Sequence, residues 1–199
     1  AVDETLERLG TDYIDLMILH QPAGNYLAGY AKLEAAYKAG KLRSIGISNF
    51  NKAEIKDILA HCEIAPALIQ VECHPYFPQT ELKELLAKHD IALQSWYPLG
   101  GRDNKSILEE PVVSELAEKH GKTAAQIIMR WHVQQGNIVI PGSKTPSHID
   151  DNIDIFDFEL SDEDMAAMAT LDQGKPFYER TPDKIAYYAT WHPDVEGQK

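Results

Sequence analysis

The sequence predicts an α/β protein in which a parallel sheet carries its helices on the outside and curls toward a barrel. Three observations predict it. Five short apolar strands are separated by amphipathic helices, the signature of parallel βα units. Strand positions such as Ile45, Ile47, Val71 and Glu72 mix apolar with small or polar residues, which suits a barrel interior better than the middle of an open sheet. Two strands also end in small or rigid residues and hand over to a helix. They give the runs Leu93 to Gly101 and Ile140 to Pro146, and in parallel α/β folds ligands bind at such strand ends.

The elements follow in order. Tyr13 to His20 has the unbroken apolar character of a buried strand, and Ala31 to Ala39 is a helix stopped by Gly40. Arg43 to Ser48 is the second strand. A helix from Asn51 to His61 follows, with Asn51 and Glu54 in capping-box positions. Ala67 to Glu72 is a strand, and Gln79 to His89 a helix with Leu82, Leu85 and Leu86 on one face. Ile91 to Trp96 is the fourth strand; a loop then leads to the helix Val112 to His120. Thr123 and Gln126 cap a helix running to Gln135. Asn137 to Ile140 is the last strand, followed by a short helix over Ser147 to Ile153. Ser161 and Asp164 open a final helix ending near Leu171. The tail from Asp172 to Lys199 holds five prolines and glycines and shows no period.

At 199 residues the chain is long enough for one sizeable core and short for a complete barrel. No linker or low-complexity stretch divides it, which predicts a single domain over residues 1–199 with residues 172–199 as a C-terminal loop and tail. The formal charge of −12 argues against nucleic acid or an anionic membrane as a partner, since either needs a basic face. No apolar run approaches the roughly 20 residues of a membrane span. The opening Ala1-Val-Asp-Glu is acidic and polar, unlike a secretory signal. Cys62 and Cys73 cannot form a disulfide framework, so a reducing cytoplasm is the expected compartment. Eight acids between Asp150 and Asp164 form a solvated surface on this reading.

The second strand-end run is built to hold an anion. Thr145 is placed to cap the next helix and Pro146 to be its first residue, leaving backbone N–H groups and the positive helix end toward the strand terminus, with Lys144 beside them. Other chemistry-bearing residues also fall at or near the C-terminal ends of strands: His20, Ser48, Asn49, Gln70 and Trp96. Singly each has a plain structural alternative. A lone His at a strand end is most often a hydrogen-bonded structural residue, Ser48 and Asn49 could be helix-entry caps, and a buried Gln70 would need partners. Together they would ring one mouth of a barrel. A metal at Cys73, His74 and Cys62 does not fit the ligand spacing, and Trp131 reads as core.

Five motifs in order resemble the aldo-keto reductases: Leu9-Gly-Thr-Asp-Tyr-Ile-Asp-Leu-Met-Ile-Leu-His-Gln-Pro22, Gly40-Lys-Leu-Arg-Ser-Ile-Gly-Ile-Ser-Asn-Phe50, Gln70-Val-Glu-Cys-His-Pro-Tyr76, Trp96-Tyr-Pro-Leu-Gly100 and Asp157-Phe-Glu-Leu-Ser161. The resemblance implies a (β/α)8 TIM barrel, incomplete at the N-terminus with about five of eight strands present, and NADP-dependent reduction of aldehydes or ketones to alcohols. The partner implied is a small carbonyl compound. By position His20 is similar to the family's catalytic histidine. Ser48, Asn49 and Gln70 match residues that hydrogen-bond the nicotinamide carboxamide, and Trp96 the aromatic residue that stacks on its ring. Leu99 and Gly100 look like part of the loop over the pyrophosphate. Ser143, Lys144 and His148 resemble the adenosine-phosphate site, with Asp151 and Asn152 as the adenine contacts. Where the family's NADP-type pattern has Lys and Arg this chain has Gly142 and His148, and an imidazole holds a 2′-phosphate less well than a guanidinium, so NAD is the alternative cofactor.

The resemblance starts near the family's third helix, so the positions of its catalytic Asp, Tyr and Lys would precede Ala1; Tyr13, Tyr26 and Tyr30 do not occupy that motif. Two readings stay open: a C-terminal piece of a reductase, or a non-catalytic relative that binds dinucleotide or a protein partner. Tail aromatics such as Phe177 and Tyr178 either line a substrate pocket or pack on the surface.

Overall fold

Each strand runs parallel to the neighbour it pairs with, and each strand end leads toward a helix. A computed structural model describes residues 2–101 and 106–191. Residues 102–105 of the loop between Gly101 and Glu110, and residues 192–199 of the tail, lie outside the described residues. Packing separates two compact units, Ala1–Ala67 with Glu179–Lys199, and Leu68–Tyr178.

The first unit holds α1 (Val2–Leu9), β1 (Met17–Leu19), α2 (Tyr26–Lys38), β2 (Ile45–Ser48), α3 (Lys52–His61) and α9 (Pro182–Thr190). β1 pairs with β2 in the register Met17↔Ile45 to Leu19↔Ile47. β1 is far shorter than the predicted Tyr13 to His20, because upstream of Met17 only Ile14 bridges, to Leu42. All of β2 is buried. α2 begins five residues before the predicted Ala31, since Asn25 accepts the Ala28 N–H and starts the helix. The expected capping box at Asn51 and Glu54 is present. Glu34 is buried, and its carboxylate accepts the N–H groups of Glu63 and Ile64 at 2.7 and 2.8 Å. That pairing explains how a charge tolerates burial on a helix face. The helices α1 and α9 are absent from the sequence prediction. α1 spaces Val2, Leu6 and Leu9 along one face but buries only Leu6, and α9 is amphipathic yet buries nothing fully; both are short helices. The start of α9 was nevertheless written in the chain: Thr181 caps it and Pro182 is its first residue.

The second unit holds β3 (Leu68–Glu72), α4 (Thr80–Ala87), β4 (Ala92–Trp96), a short 3-10 turn (Ser106–Glu109), α5 (Pro111–His120), α6 (Ala124–Gln134), β5 (Ile138–Val139), α7 (Pro146–Ile153) and α8 (Asp162–Ala169). β3 and β4 are aligned with Gln70↔Gln94 and Glu72↔Trp96, and β5 joins the far side of β4 at Ser95↔Val139. Because side chains alternate along a strand, Gln70, Glu72, Gln94 and Trp96 share one face, while Ile69, Val71 and Leu93 are buried on the other. Of the two residues named for this strand as suiting a barrel interior, Glu72 lies on the polar face and Val71 on the apolar one.

The core of this unit gathers Ile107, Val113, Leu116, Ile127, Ile128, Trp131 and Met168. Trp131 is core, as expected. The acidic stretch is only partly a solvated surface. Lys122 bridges Asp154 and Asp157, Arg130 bridges Glu159, and Asp164 is buried against Lys119 and His120. These pairs tie the segment after α7 to α5 and α6. Gln134 adds a double amide contact, accepting from Leu160 N–H at 2.7 Å and donating to its carbonyl at 2.9 Å. Among the described residues no helix is long and apolar enough to cross a membrane.

Candidate functional site

In the first unit the candidate residues sit at two strand ends. His20 directly follows β1 and is exposed. Ser48 is the last residue of β2 and fully buried, and its Oγ has no hydrogen-bond partner. A buried hydroxyl left unpaired costs free energy unless something outside the chain satisfies it. Asn49 follows with φ 63°, a left-handed conformation that asparagine tolerates better than most residues. Helix entry falls to Asn51, so Ser48 and Asn49 are not the caps of α3.

A phenol in this unit is held away from proton donation. Tyr26 O–H donates to Asp57 at 2.5 Å, and that hydrogen bond pushes its pKa up to about 12. This agrees with the absence of Tyr26 from the family motif.

In the second unit Gln70 and Trp96 occupy the polar face of β3 and β4. Gln70 Nε2 donates to Gln94 Oε1 at 2.6 Å, which orients the Gln70 amide. Trp96 ends β4, with the ring of Tyr178 edge-on at 5.8 Å and that of Tyr97 at 4.6 Å. The chain then turns sharply: Tyr97, Gly100 and Gly101 all have positive φ. A Cβ on Gly101 would come within 3.0 Å of the Tyr97 ring, so this position demands glycine. Leu99 packs against the core cluster, and Gly100 is buried with its N–H donated to the Tyr97 carbonyl at 3.0 Å.

His132 fixes this loop from below. It is completely buried; its Nδ1 accepts from Asn137 Nδ2 at 3.1 Å, so Nε2 carries the hydrogen and faces the Pro98 carbonyl at 3.4 Å. Burial first, then the positive charge of Lys83, drives its pKa down to about 3. The sequence passes over His132 because a histidine within the apolar α6 looks like packing.

After β5, Pro146 is the first residue of α7, as predicted. Thr145 occupies the N-cap position, but its side chain makes no cap hydrogen bond. Ser143 Oγ takes the Thr145 N–H instead, at 3.1 Å. Lys144 and His148 are exposed, while Asp151 and Asn152 are half-buried. Ser143 and Asn152 share the wall of a groove of about 530 Å³ that also touches Val139, Ile149 and Phe156. Lys144, His148 and Asp151 lie outside that wall.

Two residues with weak sequence signals turn out to be structurally central. Glu72 and His74 are both buried, with His74 Nε2 at 3.0 Å from Glu72 Oε1. The same carboxylate accepts backbone N–H groups from Phe177 and Tyr178. A carboxylate on an inward strand position with a histidine two residues later was the available signal. Cys73 is a poor metal ligand, since burial pushes its thiol up to about 11. Among the described residues no cluster of histidine, cysteine and carboxylate could hold a metal ion.

The aldo/keto reductase family model matches residues 1–173. An aldo-keto reductase of Mycolicibacterium smegmatis is 43% identical over 178 residues, covering 88% of this chain and 64% of that protein. Morphine 6-dehydrogenase of Pseudomonas putida is 42% identical over 190 residues, covering 87% of this chain and 63% of its own length. A solved aldo-keto reductase from a Medee basin deep-sea metagenome library superposes with a TM-score of 0.86 at 36% identity, covering 89% of this chain and 66% of that one. The chain therefore spans somewhat less than two thirds of the curated relatives it matches.

Proposed function

The chain belongs to the aldo/keto reductase family and carries part of its (β/α)8 barrel, and from that premise we propose that the whole protein reduces small aldehydes or ketones to alcohols with NADPH, NADH being the alternative donor. The observation that carries this reading is the buried, unpartnered Oγ of Ser48 at a strand end. A carboxamide supplies both the donor and the acceptor that such a hydroxyl lacks.

The cofactor, when bound, supplies the hydride. The residues of this chain bind and orient. Ser48, Asn49 and Gln70 hold the carboxamide, and Gln94 keeps the Gln70 amide in one orientation. Trp96 presents an aromatic surface to the nicotinamide ring, which fixes the face from which hydride leaves. His20 directs the carbonyl oxygen of the substrate. The turn after Trp96, held by His132 through Pro98, offers backbone to the pyrophosphate at Leu99 and Gly100. At the start of α7, the unsatisfied N–H groups and helix dipole favour a phosphate, with Lys144 and His148 as the side chains beside it. Ser143 and Asn152, with Asp151 nearby in sequence, serve the adenosine end. The two thiols suit a reducing cytoplasm.

The test is titration of the full-length protein with NADPH, followed by quenching of tryptophan fluorescence. Ser48→Ala and Gln70→Ala should each weaken binding by about 1–3 kcal/mol through lost buried hydrogen bonds. Unchanged dissociation constants in both variants would remove these residues from the site. Tight binding without turnover of any aldehyde would favour a non-catalytic dinucleotide-binding relative.

A further inference from the structure

The carboxylate of Glu72 has no role in binding or hydride transfer as described above, yet few groups in the Leu68–Tyr178 unit are so fully engaged. It is 5% exposed and ends β3 at the position paired with Trp96. Oε1 accepts the Phe177 N–H at 2.5 Å and faces His74 Nε2 at 3.0 Å, and Oε2 accepts the Tyr178 N–H at 3.0 Å. His74 is itself fully buried with no partner on Nδ1, so Nε2 is the nitrogen that carries hydrogen and donates. Two successive backbone N–H groups converging on one carboxylate form a compact anion cradle, here filled by the protein's own side chain.

The two residues gripped by their backbones are aromatic, and each ring has a partner next to the carboxylate. Phe177 stacks on His74 with ring centroids 4.5 Å apart and planes 29° from parallel. Tyr178 meets Trp96 edge-on at 5.8 Å. Glu72, Trp96 and Tyr178 thus close a triangle: strand register joins the first two, a charge-assisted hydrogen bond joins Glu72 to Tyr178, and ring contact joins Tyr178 to Trp96.

We propose that Glu72 is a positioning residue that, with His74, pins the Phe177–Tyr178 turn so that Tyr178 stands against Trp96 and limits the size of carbonyl substrate accepted there. This inference rests on the assignment of Trp96 to the nicotinamide ring. The carboxylate touches no reacting atom and acts through Tyr178. Replacing one of its oxygens by an amide N–H₂ sets a donor against a backbone N–H donor, which releases the turn with little change in the size of the side chain.

The experiment compares the full-length wild type with Glu72→Gln, Tyr178→Ala and the double variant. Amide exchange at Phe177 and Tyr178 should accelerate about 10- to 100-fold in Glu72→Gln, the equivalent of losing a charge-assisted hydrogen bond. The ratio of kcat/KM for an aromatic aldehyde to that for a short aliphatic one should shift about tenfold, in the direction Tyr178→Ala shifts it. In the Tyr178→Ala background the Glu72→Gln substitution should leave that ratio alone, whereas general loss of structure would lower both substrates equally in either background. Unchanged exchange, an unchanged ratio, or a ratio shift that persists without Tyr178 overturns the proposal. Wild-type protein that neither binds NADPH nor reduces either aldehyde refutes the parent reading and this one together. An active wild type whose ratio ignores Glu72→Gln refutes this one alone.

Discussion

Acid should destabilise this protein through His132. The unfolded imidazole takes up a proton as pH falls below its ordinary 6.5, while the folded one, shut away from water, stays neutral to about pH 3. Over that interval the unfolded state binds more protons, so stability is complete above pH 6.5 and declines as pH falls. At about pH 4.5 the difference amounts to two pH units, or about 3 kcal/mol. That is a large share of the total stability of about 5–15 kcal/mol expected for a protein domain. The matching variant is His132→Gln, whose amide can still donate to Pro98 and accept from Asn137 but cannot titrate. Urea unfolding of both proteins, followed by circular dichroism between pH 6.5 and 4.5, measures the difference in slope. Asp164, a strongly shifted group on the acid side, is held at about 2 against its own desolvation by Lys119 and His120, and costs stability only as pH falls from 3.8 toward that value. It therefore stays out of the window. Wild type and variant losing stability in parallel would show that His132 is not the group responsible.

Further expectations follow from the same contacts. Trp131→Ala empties the centre of the second unit's core and should lower stability by about 3–5 kcal/mol in denaturant unfolding. Asn51→Ala removes the capping box of α3 and should cost about 1 kcal/mol by the same assay. If His148 faces the 2′-phosphate, His148→Arg should tighten NADPH about tenfold while leaving NADH nearly unchanged, measured by parallel fluorescence titrations. Equal effects on both cofactors would place the residue elsewhere.

Elements whose signals are local were legible in the sequence. The capping boxes at Asn51, Thr123 and Ser161 all form, because each needs only residues three apart. The strand ends carrying Ser48 and Trp96 were placed correctly for the same reason, since an apolar run followed by a turn is a local pattern; Gln70 lies in the middle of β3. What the sequence hid depends on distant partners. α9 is short and buries no residue fully, and its clearest mark in the sequence is the start at Thr181 and Pro182. Thr145 holds the N-cap position of α7, yet its side chain accepts no helix N–H. His132 and Glu72 acquire their meaning from Pro98 and from Phe177, and no periodicity connects those positions.

The link between Glu72 and Phe177 has a consequence for the order in which the chain assembles. A capping box closes over three residues and forms on the timescale of helix growth itself. The Glu72 cradle closes over 105 residues, and the loop entropy of bringing such ends together must be met before the contact returns anything. It cannot form until β3 is in place to hold the carboxylate still. During synthesis Glu72 leaves the ribosome long before Phe177, so a charge destined for the interior stays hydrated until the Phe177–Tyr178 segment has emerged. Burial of that carboxylate therefore follows the placement of β3, and the wall beside Trp96 is finished only when the Phe177–Tyr178 turn arrives.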